Sequence, residues 1–119
     1  SSLYSFIKNN KLESKGNSIT EGIGTGRITK NFEKAIIDDA FQTDDVEALK
    51  IVYDLIEKQN IILGGSSGIN IAGTIKLAKK LGKGKTIVTI LCDDGRRYAS
   101  KIFNKKFLKS KNLRIPKWL

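Results

Sequence analysis

The sequence predicts an α/β fold, an open twisted and mostly parallel sheet with flanking helices, on three observations. TIVTILC, residues 86–92, is a nearly unbroken apolar run rich in β-branched residues, as in a strand covered on both faces. Two helix patterns, TDDVEALKIVYDLIEK and INIAGTIKLAKKLG, are well marked. They alternate with that run and with the shorter apolar stretches AIIDDAF and IIL (61–63). Strands alternating with helices imply βαβ units and a parallel sheet.

Taken in order, residues 1–18 mix a short amphipathic stretch with turn formers and read as a connector. ITEGIGTGRI then sets glycines at 22, 24 and 26 with no long helical pattern behind them, which is a loop of exposed backbone leading into the strand-like AIIDDAF. In the next segment Asp44 is placed to cap, Glu47 follows three residues later, and Leu49, Val52, Leu55 and Ile56 share a face. This predicts a helix over 45–58. IIL is a short buried strand or its end. The second helix carries Ile71, Ala72, Ile75, Ala78 and Leu81 on one stripe, and Gly82 and Gly84 end it. DDGRRY turns out of the 86–92 strand, and RRYASKIF suggests a short helix before a basic C-terminal tail, 101–119.

Composition narrows the function classes. A chain of 119 residues fits one domain or a piece of a larger one, with 39% hydrophobic and 29% charged residues in the ordinary globular range. No apolar run approaches the ~20 residues of a membrane span, and no signal peptide opens the chain. Cys92 is the single cysteine, so no intrachain disulfide forms and a cytoplasmic setting is the expectation. The absence of histidine removes the commonest general base and most zinc sites. The net charge of +10 is concentrated: residues 101–119 hold seven basic and no acidic residues, against 15 basic and 12 acidic before them. Lysines outnumber arginines 18 to 4 and no aromatic-interleaved basic stripe accompanies them. Solvated lysines, with no nucleic-acid or membrane partner, are the preferred reading. A basic, non-enzymatic module whose tail holds nucleic acid or an acidic protein is the rival of another class.

The glycine segments carry the candidate chemistry. GIGTG, GGSSG and CDDG each follow strand-like stretches, and in open α/β sheets ligands gather beyond the carboxyl ends of the strands. GGSSG before a helix suggests a phosphate cradle. The spacing matches neither GxxxxGK[ST] nor GxGxxG, and EGIGTGRI is only a near miss. The competing reading has Ser66 or Ser67 capping the helix while the glycines supply positive φ for a bend. Cys92 after a buried strand is by default a small core residue, and Asp93 and Asp94 by default solvated turn acids.

EGIGTGRIT, AF at 40–41, GGSSGINIAG, TIVTILCDDGRRY and a closing PKWL occur in an order that resembles the C-terminal part of the cysteine synthase (O-acetylserine sulfhydrylase) family. These are fold-type II pyridoxal-phosphate enzymes of the tryptophan-synthase-β-like group, and the resemblance covers essentially all 119 residues. It implies pyridoxal 5′-phosphate as cofactor, with Ser66 at the pyridine nitrogen and Gly65 beside it. Gly22 and Gly24 would line cofactor and substrate with backbone amides, and Cys92 would lie near the pyridine edge, in a segment that usually begins with proline and serine. A neutral hydroxyl at the ring nitrogen does not stabilise a pyridinium, which suits β-elimination and replacement. The resemblance also implies O-acetylserine and sulfide as substrates, a homodimer, and the C-terminal peptide of serine acetyltransferase as a possible partner. Cystathionine β-synthase is the alternative of the same fold. No segment matches the family's Schiff-base lysine, substrate-carboxylate loop or GTGGT-type phosphate cradle. The chain is therefore expected to be inactive alone, with an unpaired sheet edge and exposed apolar faces.

Overall fold

A computed structural model describes every residue except Ser1 and Lys15, and the chain divides into two compact units, Ser1–Gln42 and Thr43–Leu119.

The first unit is built on a helix where the sequence reads as a connector. Helix α1, Ser2–Asn9, buries Ser2, whose hydroxyl donates to the Thr25 carbonyl at 2.8 Å and ties the helix to the glycine loop. Asn10 ends it in the left-handed region at φ 54°. The rings of Phe6 and Phe32 meet edge to face at 6.1 Å, joining α1 to the single turn α2, Lys30–Glu33, which Thr29 caps. Lys8 pairs with Asp39.

The second unit holds the core. Helix α3, Asp45–Gln59, starts as expected: the Asp44 carboxylate accepts from the Glu47 N–H at 2.8 Å. It stops at Asn60, φ 55°. Its buried face is Ala48, Leu49, Val52 and Tyr53. Leu55 and Ile56 are only half-buried, so the inward stripe lies about a turn nearer the N-terminus than the apolar spacing suggests. Helix α4, Gly65–Leu81, packs on α3 and ends at Gly82, φ 78°. The residues 101–119 are no loose tail. Ile102 and Leu108 are fully enclosed, the latter on helix α5, Lys105–Ser110, which Asn104 caps. Phe103 and Trp118 stack round Tyr53 with ring centroids 6.4 and 5.7 Å from it, and the Tyr53 hydroxyl donates to the Ile102 carbonyl at 2.6 Å. The lysines stand outside an apolar lining.

No parallel sheet forms among the described residues. Among the described residues, strand pairing is confined to one antiparallel bridge between Leu63 and Asp94. In the 86–92 run Val88, Ile90 and Leu91 are 87%, 71% and 54% exposed, and in AIIDDAF Ile36 is 97% exposed. The physical reason is that a strand is a relation between segments: apolar, β-branched sequence becomes a ladder only where a neighbour supplies the complementary N–H and C=O groups. Among the described residues no strand pairs with either run. Ile75 and Leu81 on α4, expected on a buried stripe, are likewise 43% and 45% exposed.

Candidate functional site

Residues 62–68 and 92–98 meet at one end of the second unit. The Gly64 N–H donates to the Asp93 carbonyl at 2.8 Å and the Gly95 N–H to the Ile62 carbonyl at 3.2 Å. Both glycines are there for want of room. A Cβ on Gly95 would stand 2.5 Å from the Leu63 carbonyl oxygen, and one on Gly64 would stand 2.8 Å from Tyr98 Cε2. None of the GGSSG glycines 64, 65 and 68 has positive φ, which corrects the expectation that they supply a left-handed bend.

From Gly65 on, GGSSG is helix rather than loop. α4 begins at Gly65, with Gly64 as an N-cap that has no side-chain capping bond, so neither Ser66 nor Ser67 caps. Gly68 sits where the two helices cross: a Cβ there would lie 2.5 Å from the Ala48 carbonyl oxygen and 3.0 Å from Val52 Cγ2. Ser67 is wholly buried, and its hydroxyl oxygen accepts the Cys92 N–H at 2.9 Å. One turn on, the Asn70 amide donates to the Ile90 carbonyl at 2.8 Å and lies 3.5 Å from Cys92 Sγ. Asn70 is not among the residues singled out from sequence. The signal was there: an amide between Ile69 and Ile71 is a poor helix former unless its side chain bonds elsewhere.

Ser66 differs from its neighbour. It is half-buried, and its hydroxyl has no hydrogen-bond partner among the described residues. It stands in the first turn of a 17-residue helix, at the positive end of the helix dipole. Cys92 is an exposed free thiol rather than a core residue, because the run it closes has no partner to cover it. Asp93 and Asp94 are occupied: Asp93 accepts the Tyr98 hydroxyl, while Asp94 accepts the Arg96 N–H at 2.9 Å and Arg96 Nε at 3.0 Å. The guanidinium and N–H of Arg96 hold the Asp94 carboxyl down at about 2. That pair caps the short 3₁₀ turn Gly95–Tyr98.

The structure thus brings Gly65, Ser66 and Cys92 to one end of the second unit, whereas Gly22 and Gly24 belong to the first. Both of these have positive φ, 75° and 74°, and a Cβ on Gly22 would meet nothing within 4 Å. Among the described residues no three His, Cys, Asp or Glu side chains gather as metal ligands, and no helix is long and apolar enough to cross a membrane.

The family model described as pyridoxal-phosphate dependent enzyme matches residues 1–93. Cysteine synthase 1 of Emericella nidulans is 42% identical over 123 residues, covering 98% of this chain and 33% of the relative. Cysteine synthase of Dictyostelium discoideum is 43% identical over 98 residues, covering 82% of this chain and 26% of the relative. Cystathionine beta-synthase of the same organism is 36% identical over 88 residues, 74% of this chain and 18% of the relative. The chain spans between a quarter and a third of the length of the cysteine synthases it matches at these identities.

Proposed function

We propose, for a chain that belongs to the pyridoxal-phosphate dependent enzyme family, that it is the C-terminal portion of a cysteine synthase making cysteine and acetate from O-acetylserine and sulfide. The observation that carries the site is the unpartnered Ser66 hydroxyl at the start of α4. A half-exposed O–H donor at a positive helix end fits a neutral pyridine nitrogen, an acceptor that carries no charge, and disfavours a pyridinium. Pyridoxal 5′-phosphate, when bound, supplies an electron sink for charge developing at the substrate Cα. By keeping the ring nitrogen unprotonated, Ser66 limits that sink and favours prompt departure of acetate over transamination or racemisation.

Gly65 leaves the backbone open for the ring to approach, and Gly22 and Gly24 offer left-handed backbone whose amides are free of any Cβ. Cys92 takes a place near the pyridine edge with no chemistry of its own. The covalent lysine and the phosphate cradle belong to the two-thirds or more of the relatives' length that this chain does not cover, so the chain alone does not turn over substrate. Strands from that remainder pair with 86–92 and AIIDDAF, and there the parallel sheet of the fold-type II enzymes forms. The whole enzyme is a cytoplasmic homodimer that can accept the C-terminal peptide of serine acetyltransferase in its cleft.

Cystathionine β-synthase activity is the second reading, favoured by the 36% identity to the Dictyostelium protein of that name. Assay of the whole enzyme with sulfide and with homocysteine separates them, and a strong preference for homocysteine overturns the first. For the site, Ser66→Ala in the whole enzyme is expected to shift the cofactor absorption and impair elimination. Wild-type behaviour in both would remove Ser66 from the site.

A further inference from the structure

GGSSG offers two adjacent serines with opposite surroundings. Successive helical residues point about 100° apart, so a turn with one serine locked inward presents the other elsewhere. Ser67 is the locked one, with no exposure and the Cys92 N–H held at 2.9 Å. The Asn70 side chain, three residues on and so on the same face, donates to the Ile90 carbonyl at 2.8 Å, while the Asn70 main-chain carbonyl accepts the Thr74 hydroxyl at 2.8 Å. The two main-chain groups that are held lie two residues apart, the period of extended backbone. Two side chains therefore do along 90–92 what a neighbouring strand does elsewhere. Gly68 against Ala48 sets how deeply the same turn sits on α3.

We infer that Ser67 and Asn70 are positioning residues: they hold the Cys92 end of the 86–92 run by its main chain and so fix the rotation of the turn that aims Ser66. The inference rests on the cofactor reading of Ser66 for its functional half and on geometry alone for its clamp. Depth is set by Gly68, rotation by the clamp, and the Ser66 hydroxyl is left as a side-chain donor of the turn with no partner among the described residues.

Hydrogen exchange at the Cys92 amide and the absorption band of the bound cofactor, both read in the cofactor-loaded whole enzyme, test the two halves. Ser67→Ala is expected to speed exchange at Cys92 about tenfold, the loss of one ordinary hydrogen bond, and to shift the cofactor band without abolishing binding. Asn70→Ala, at a half-exposed position that tolerates truncation, is expected to do the same to a smaller extent. Unchanged exchange at Cys92 in both variants overturns the clamp. Faster exchange with an unmoved cofactor band overturns the positioning role. Ser66→Ala run alongside keeps the two readings apart: an unmoved band in that variant marks failure of the cofactor reading itself, while the exchange rates still judge the clamp.

Discussion

Glycines 22 and 24 and glycines 64, 68 and 95 look alike in sequence and do opposite things. The first pair sits at φ 75° and 74°, and Gly22 has open space where a Cβ would be. The second set has ordinary φ and no space: backbone or ring atoms lie 2.5 to 2.8 Å from each absent Cβ. In one region glycine is chosen for the conformation of its own backbone, in the other for what its neighbours occupy. The difference teaches that a glycine-rich motif beside a helix is no evidence of a bend. GGSSG is the contact surface on which α3 and the 93–98 turn close.

That contrast breaks most sharply at Gly68. Gly68→Ala drives a methyl into the Ala48 carbonyl, which belongs to a helix and cannot swing aside, and is expected to cost about 3 kcal/mol in urea unfolding. Gly95→Ala meets the Leu63 carbonyl in the same way, and about 2 kcal/mol is expected.

Within the packed region, Tyr53→Phe leaves the Ile102 carbonyl without its donor, for a loss of about 1.5 kcal/mol. Burial pushes the Tyr53 hydroxyl up to about 12. Its stabilisation is accordingly complete below the free-tyrosine value of about 10 and disappears as pH rises through about 12, which absorbance titration of the phenol will follow.

At the open pole, Gly22→Ala pays only for a left-handed backbone, about 1 kcal/mol, and Gly22→Asn less. The chain already places Asn10, Asn60 and Asn112 at φ between 53° and 55°. Equal costs at 22 and 68 would erase the distinction. The smallest effect is at Asp94, an exposed carboxylate whose folded value is depressed to about 2. Its contribution is present above the ordinary carboxylate range and fades as pH falls toward 2. Arg96→Ala is expected to move the Asp94 midpoint, read by NMR, back up, with little change in stability.

Local grammar was legible in the sequence, and relations between distant segments were not. Asp44, Glu47 and the apolar spacing after them announced α3 to within a residue, and Gly82 announced the end of α4. The start of α4 was hidden because glycine and serine are poor helix formers, and the packing of Gly68 and the Ser67 bond that outweigh propensity involve residues 16 or more positions away. Seven positive charges masked the enclosed Leu108 and the apolar Ile102, Phe103 and Trp118, which meet Tyr53. The strand at 86–92 was read from composition alone, and composition cannot provide a neighbour. For the site, the candidate residue types came from the family resemblance. Which serine is bonded and which is free depended on a helical phase that the sequence does not print.

The exposed run from Thr86 to Cys92 has a consequence for handling the protein. It holds seven residues without charge or proline, rich in β-branched side chains, with Val88 and Ile90 mostly in water. Stretches of that kind pair with copies of themselves when nothing else covers them. The chain is therefore expected to depend on this short run, as well as on its net charge of +10, for its solubility. A lysine in place of Val88 would do more to keep it dispersed than any further charge on the already basic surface.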